Sequence, residues 1–239
     1  MNLAYTWSRA FGICCDNLSD NPPQVQAMDY FKLNEATLNF DRPHNFQASV
    51  VAELPFGHGK PFLNDERPLS SIVGGWQVMA LLSVYSGLPF SVSSAGTSLN
   101  LPNSTQMADK VKTDVQILGG IGAGTSWFDP LAFRAVTEAR FGNAGYNTMR
   151  GPGFANLDLS VQRQFMLSGR LSLQARAEIF NLTNTPHFAN PNANVSNLQL
   201  NADGTVRNLG GFSSITTTAN SGRDGIDERV VRLGLRLGF

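Results

Sequence analysis

The sequence predicts an all-β chain: an antiparallel transmembrane β-barrel fragment of about six strands, with long extracellular loops, forming an open curved sheet. Three observations predict it. Several segments alternate apolar and polar side chains with the period of two that marks a strand. The connections between them alternate between long and short, as in barrels whose outer loops are long and inner turns short. Aromatic residues collect at the same ends of several strands, as interfacial anchors do.

Taken in order, Asn2 to Arg9 is the first candidate strand, with Leu3, Tyr5 and Trp7 alternating with Asn2, Thr6 and Ser8. From Ala10 to Asp41 the alternation dissolves through CCDNLSDNPPQ, which reads as a long loop with a short helical turn near Val25 to Phe31. In the second strand Phe46, Ala48, Val50, Ala52 and Leu54 share a face opposite Gln47, Ser49 and Glu53. Pro55 to Gly75, rich in proline and glycine, is an irregular surface connection. Trp76, Val78, Ala80, Leu82 and Val84 then form one face of a third strand. Its other face is also apolar through Met79, Leu81 and Tyr85, which fits a buried sandwich strand or a barrel wall covered inside by a plug.

Thr97 to Met149 is too long for an ordinary connection and reads as a large, flexible functional loop. Its GGIGAG lacks the Lys-Ser/Thr of a P-loop and the spacing of a dinucleotide fingerprint. The clearest strands follow. In Asn156 to Phe165, Leu157, Leu159, Val161 and Phe165 oppose Asp158, Ser160, Gln162 and Gln164. In Leu171 to Asn181, Leu171, Leu173, Ala175, Ala177 and Ile179 oppose Ser172, Gln174, Arg176 and Glu178. Met166 to Arg170 joins them as a hairpin with a Ser-Gly turn. The expected register opposes Asp158 to Arg176, because the other register weighed opposes it to Glu178, a like charge. Asn184 to Glu228 is a third long loop. The last strand, Arg229 to Phe239, sets Val231, Leu233, Leu235, Leu237 and Phe239 against Val230, Arg232, Gly234, Arg236 and Gly238.

This arrangement assigns roles. Asp158, Arg176, Glu178, Arg232 and Arg236 are lumen-facing, and Phe56, Trp76, Phe165 and Phe239 form an aromatic girdle at the periplasmic ends. The 18 basic and 18 acidic residues cancel, so no global field draws the chain to nucleic acid. No apolar run has the length of a membrane helix. The opening MNLAYTWSRAFG lacks a basic region followed by an apolar core, so residues 1–239 are read as one partial barrel beginning inside a larger one, with neither signal peptide nor plug. Cys14 and Cys15 are adjacent, unsuited to an ordinary structural disulfide or a zinc knuckle, and read as loop residues. His44, His58 and His187 are far apart, and no HExxH or GxSxG occurs, so the chain is read as no enzyme, with no catalytic, cofactor or metal positions.

Several phrases carry a resemblance: FDRPHNF at 40–46, LPFGHGKPF at 54–62, GGWQ at 74–77, SGLPFSV at 86–92, GPGFANLDLSVQRQF at 151–165 and AEIFNLTNTPHF at 177–188. They resemble the C-terminal barrel of TonB-dependent outer-membrane receptors, in the Oar-like group whose full-length members carry an N-terminal carboxypeptidase-regulatory-like domain. Arg232, Gly234, Leu237 and Phe239 also resemble the C-terminal assembly signal of bacterial outer-membrane barrels. The resemblance implies a segment of an energy-coupled transporter in the bacterial outer membrane. Its partners would be outer-membrane lipid, the barrel-assembly machinery, the rest of its own barrel and plug, and, through that absent part alone, TonB. The alternative is a soluble or surface all-β binding or adhesin module that recognises its target with Trp127 and the long loops. On the first reading the sheet stays open, with the first and last strands as its edges and the three long loops on one rim. Leu157, Leu159, Val161, Leu173, Leu235 and Leu237 are then solvent-exposed.

Overall fold

Six long strands form a single antiparallel meander in the computed structural model, which describes residues 1–14, 23–25, 27–64, 72–100, 104–219 and 228–239. They are β1 (Asn2–Trp7), β2 (His44–Glu53), β3 (Trp76–Tyr85), β4 (Phe154–Ser168), β5 (Leu171–Phe180) and β6 (Val230–Gly238). Each pairs with its sequence neighbours, so β1 and β6 are the two edges and the sheet is not closed. Among the described residues no helix is long and apolar enough to cross a membrane.

Alternation within strands becomes rows across them, because the registers keep parity. One row runs Val50, Ala80, Leu159, Ile179, Val231, and the next runs Ala52, Val78, Val161, Ala177, Leu233. Both lie on the same face. The opposite face carries Val51, Met79, Ser160, Glu178, Arg232 and, one step along, Glu53, Gln77, Gln162, Arg176, Gly234. Among the described residues the apolar face has no covering layer. Every buried apolar side chain among the described residues lies outside the six strands. Leu233 is 81% exposed, Leu235 77% and Leu237 54%. Leaving such side chains in water forgoes roughly 1.5–3 kcal/mol each, so this face is built for an apolar solvent. Leu157, Leu159, Val161 and Leu173, expected to be exposed, are half-buried instead. They sit on interior strands, where neighbours on both sides shield their flanks; Leu235 and Leu237 on the edge have a neighbour on one side only.

The buried core sits in the loops. The segments 8–43, 86–153 and 181–229 all leave from the same rim, at the ends Trp7, Tyr85 and Phe180, and their described residues fold together into a cap. Phe128 is its centre: its ring meets Phe90 at 5.8 Å, Phe133 at 5.7 Å and Phe212 at 5.3 Å between centroids. Val92, Ala108, Ala132, Ala144, Met149 and Val195 complete that cluster. A smaller one joins Cys14 and Ala36 to Met107 and Tyr146. The expectation of a flexible loop at 97–149 is therefore corrected. Within GGIGAG, Gly120 N–H donates to Ser126 O of the same loop at 3.0 Å, and Gly122 N–H donates to Ile215 O at 2.9 Å, which ties the segment to the third loop. The composition that reads as loop, Asn, Ser, Thr and Gly, supplies the turns that hold the cap. Asp129 Oδ1 accepts from Leu131 N–H at 2.9 Å, and Asn194 Oδ1 accepts from Ser196 N–H at 3.0 Å, each opening a short 3-10 turn.

Smaller departures have local causes. The helical turn lies at Met28–Asn34, three residues later than read. Cys14 is 1% exposed and disulfide-bonded, not a plain loop residue; Cys15 lies outside the described residues, as do 65–71 of the Pro55 to Gly75 connection and 220–227 of the third loop.

Candidate functional site

The polar face of the sheet is the first candidate surface. Gln162 Nε2 donates to Gln77 Oε1 at 2.6 Å, and Gln174 Nε2 donates to Gln162 Oε1 at 3.2 Å, an amide ladder over β3, β4 and β5. Arg176 and Glu178, two residues apart on β5 and hence on one face, approach to 3.6 Å. Arg232 lies opposite Glu178 with its guanidinium carbon 5.1 Å from the Phe180 ring centroid, and Arg236 lies opposite Gln174. The five charges read as lumen-facing thus share one face.

The register expected for the hairpin is corrected. Arg176 opposes Gln162, and Glu178 opposes Ser160, while Asp158 stands beyond the last rung of the ladder, Leu159 opposite Ile179. The strand runs to Ser168, with a register shift between Met166 and Ser168, and turns at Gly169 and Arg170. Turn geometry therefore fixes a register four residues from the expected one, with Gln162 in place of Asp158 opposite Arg176, and the even shift keeps the same face. The charge of Asp158 is met locally: its Oδ1 accepts from Asn181 N–H at 2.9 Å and from Asn156 Nδ2 at 2.8 Å.

At the rim away from the cap, Trp76 and Phe165 meet edge to face at 6.5 Å. Phe56 packs on Phe62 at 5.9 Å within the connection that follows β2, and Phe239 is 98% exposed at the end of β6. Between the first two lies a residue the sequence reading passed over. Arg163 has apolar parity, opposite Trp76, and its guanidinium carbon is 4.4 Å from the Phe165 centroid and 5.9 Å from that of Trp76. Its Nη1 donates to Ile72 O at 2.5 Å. The signal was present, a single arginine among outward apolar positions, placed where a long cation reaches the edge of a bilayer. Of the signal residues, Arg232 and Gly234 lie on the polar face, and Leu237 on the apolar one.

The cap is the second candidate surface, held by buried charge. Asp109 is 2% exposed and takes both arms of Arg140, at 2.8 Å and 2.7 Å, with Arg134 at 3.6 Å. The Arg140 hydrogen bonds hold its carboxyl below the usual range against the opposing effect of burial. Trp127, named for recognition in the alternative reading, is instead partly buried against the Phe128 cluster and donates its indole N–H to Arg150 O at 3.2 Å. The structure does not bring the three histidines together. His44 bonds Tyr5 at 2.8 Å, His187 lies 2.8 Å from Ala155 O, and His58 is exposed in a turn.

Two glycines explain why the phrases SGLPF and GPGF sit where strands enter the cap. A Cβ on Gly87 would fall 2.0 Å from Gly151 O, and one on Gly151 would fall 2.1 Å from Asn190 Oδ1. The two ends of the second loop meet there backbone to backbone, and the Asn190 side chain of the third loop packs against Gly151.

An open six-stranded meander, one face apolar and, among the described residues, uncovered, the other polar, with the longer loops on one rim and the shorter connections on the other, is the wall of a membrane barrel. Comparison agrees: a family model described as an outer membrane beta barrel domain matches residues 1–231. No curated protein and no solved structure matches the chain. The chain belongs to the outer membrane beta barrel domain family.

Proposed function

We propose that the chain is the C-terminal barrel segment of a TonB-dependent outer-membrane transporter of the Oar-like group, seated in the bacterial outer membrane and without chemistry of its own. One observation carries this reading. Across all six strands the only Asp, Glu, Lys or Arg of apolar parity is Arg163, at the rim, while the opposite face carries the amide ladder and the paired charges. A wall with lipid on one side and a polar lumen on the other needs this division. Among the described residues both edges, β1 and β6, present unpaired backbone, which the remainder of the barrel would pair. The apolar patch of Val51, Met79 and Leu81 on the lumen side fits contact with a plug. Lipid and the barrel-assembly machinery are its direct partners, and TonB acts on it through the plug-bearing part.

The reading frame upstream of Met1 and the membrane fraction test this together. The expected result is a continuing frame encoding more alternating strands and a plug, with a product that stays in outer membranes after a urea wash. A protein that is monodisperse in water without detergent would replace the transporter with the surface all-β module.

A further inference from the structure

A row of stacked rings crosses the loop rim on the polar face. Tyr85, ending β3, stacks on Phe154, opening β4, at 5.4 Å, and Phe154 stacks on His187 of the third loop at 4.1 Å. Tyr85 and Phe154 are direct partners in the sheet, so the ladder itself sets the first stack. Arg42 closes the row at the other end: its guanidinium carbon is 5.5 Å from the Tyr85 centroid, and its Nη1 donates to Ser86 O at 3.0 Å. Beside the row is a cavity of about 220 Å³ whose lining includes Arg42, Pro152, Phe154, His187, Phe188 and Asn190.

Arg42 differs from Arg140 and Arg150, the other half-buried arginines of the cap among the described residues. Arg150 and Arg140 hold the buried carboxylates Asp41 and Asp109. Arg42 is half-buried, yet among the described residues it pairs with no carboxylate. Burial draws its pKa below the ordinary arginine value. A guanidinium offers five N–H donors, and a cation withdrawn from water without an anion is unfavourable, so the fold maintains a cost that a bound anion would relieve.

We propose that this cavity binds a small carboxylate, with Arg42 as the anchor of the anion and the Phe154 and His187 rings as the wall for the ligand's body. The planar fork of arginine matches a carboxylate through two parallel hydrogen bonds. The cavity lies below the roughly 300 Å³ at which drug-sized pockets begin, which limits the ligand to about the size of a single sugar acid or amino acid. Nothing in the site depends on transport; it rests on the fold of the cap and rim.

The full chain, folded in detergent micelles, is titrated with galacturonate, N-acetylalanine and galactose by saturation-transfer NMR. The first two separate an acidic sugar from an amino-acid carboxylate, and galactose keeps the ring without the charge. Saturable binding of at least one carboxylate is expected, with galactose weaker by about tenfold or more. Arg42→Gln should weaken the carboxylate by about tenfold or more, and Arg42→Lys, which keeps charge but loses the fork, should fall between. Arg207→Gln, at an exposed site on the third loop, should change nothing, and circular dichroism should be the same for all variants. Equal binding of galactose, unchanged binding by Arg42→Gln, or no binding of either carboxylate overturns the proposal. Because binding is read on solubilised protein, such a failure leaves the membrane-wall reading intact, and a failed urea-wash test leaves this assay intact.

Discussion

Arg150 and Asp41 form an ion pair that ties the second long loop to the first, with the Asp41 side chain wholly buried and Arg150 also donating to the carbonyl oxygens of Asp41 and Gly87 at 3.1 Å and 3.2 Å. Burial opposes the charge on Asp41, but the Ala10 N–H at 2.6 Å and the Arg150 guanidinium outweigh it and hold the carboxyl below its ordinary value. Arg150→Met leaves that carboxylate buried and unpaired and should cost about 3 kcal/mol. The sign with pH follows from the depressed folded pKa of Asp41, which Asp109 shares. Their stabilisation is fully present above the ordinary carboxylate value of 3.8 and is lost as pH falls below it through the folded values. The protection factors of the Phe128 and Phe212 amides, taken relative to the intrinsic exchange rate at each pH, should stay high through neutral pH and fall only below about pH 4. Loss of protection already at pH 6 would contradict the assignment.

Gly87→Ala should loosen the cap without altering the wall. The added methyl meets backbone at Gly151, which has no rotamer to yield, so a loss of about 1–3 kcal/mol is expected. Limited proteolysis within 104–149 measures it, with the β-sheet circular dichroism as the unchanged reference.

Leu235→Arg should impair membrane assembly, and Gly234→Ser should not. Leu235 lies on the apolar face, where a mid-bilayer charge costs about 2–4 kcal/mol. A Cβ at Gly234 meets no atom within 4 Å. The fraction of heat-modifiable folded protein reads the difference; equal loss in both would refute the facing.

Deletion of Phe239 should lower the surface yield of a barrel that contains this segment while leaving the cap folded. Phe239 is 98% exposed, so its removal takes no packing from the sheet, and a drop in yield would report recognition during assembly. Unchanged yield would remove Phe239 from the signal.

The wall was legible because each strand repeats one rule. Alternation from Phe46 to Leu54 and from Val231 to Phe239 places side chains by parity alone, and parity survives any even shift of register. That is why Arg176 and Glu178 share the polar face of the sheet as expected while the partner of Asp158 differs: the turn at Gly169 and Arg170 chooses among registers that look alike in sequence. The cap was illegible for the opposite reason. Phe128, Phe133 and Phe212 come from separated, aperiodic stretches, and their apolar contacts follow from backbone paths set by Asx turns and close glycine crossings. The cavity at Arg42 escaped too, since its walls come from all three loops.

The placement of the cap core on both sides of the β4–β5 hairpin has a kinetic consequence. Phe90, Phe128 and Phe133 precede that hairpin, and Val195 and Phe212 follow it, while Ser213 Oγ reaches back 85 residues to Phe128, donating to its carbonyl at 2.6 Å and accepting from its N–H at 2.9 Å. Of the five pairings that build the wall, only β2–β3 and β4–β5 close the shorter connections, and the cap must wait until the chain has crossed twice more and returned to the same rim. Until then the phenylalanine cluster is incomplete, and its rings face water. Completing the cap is therefore a step of high contact order, and the loop rim cannot finish folding before Ser213 has been brought back to Phe128.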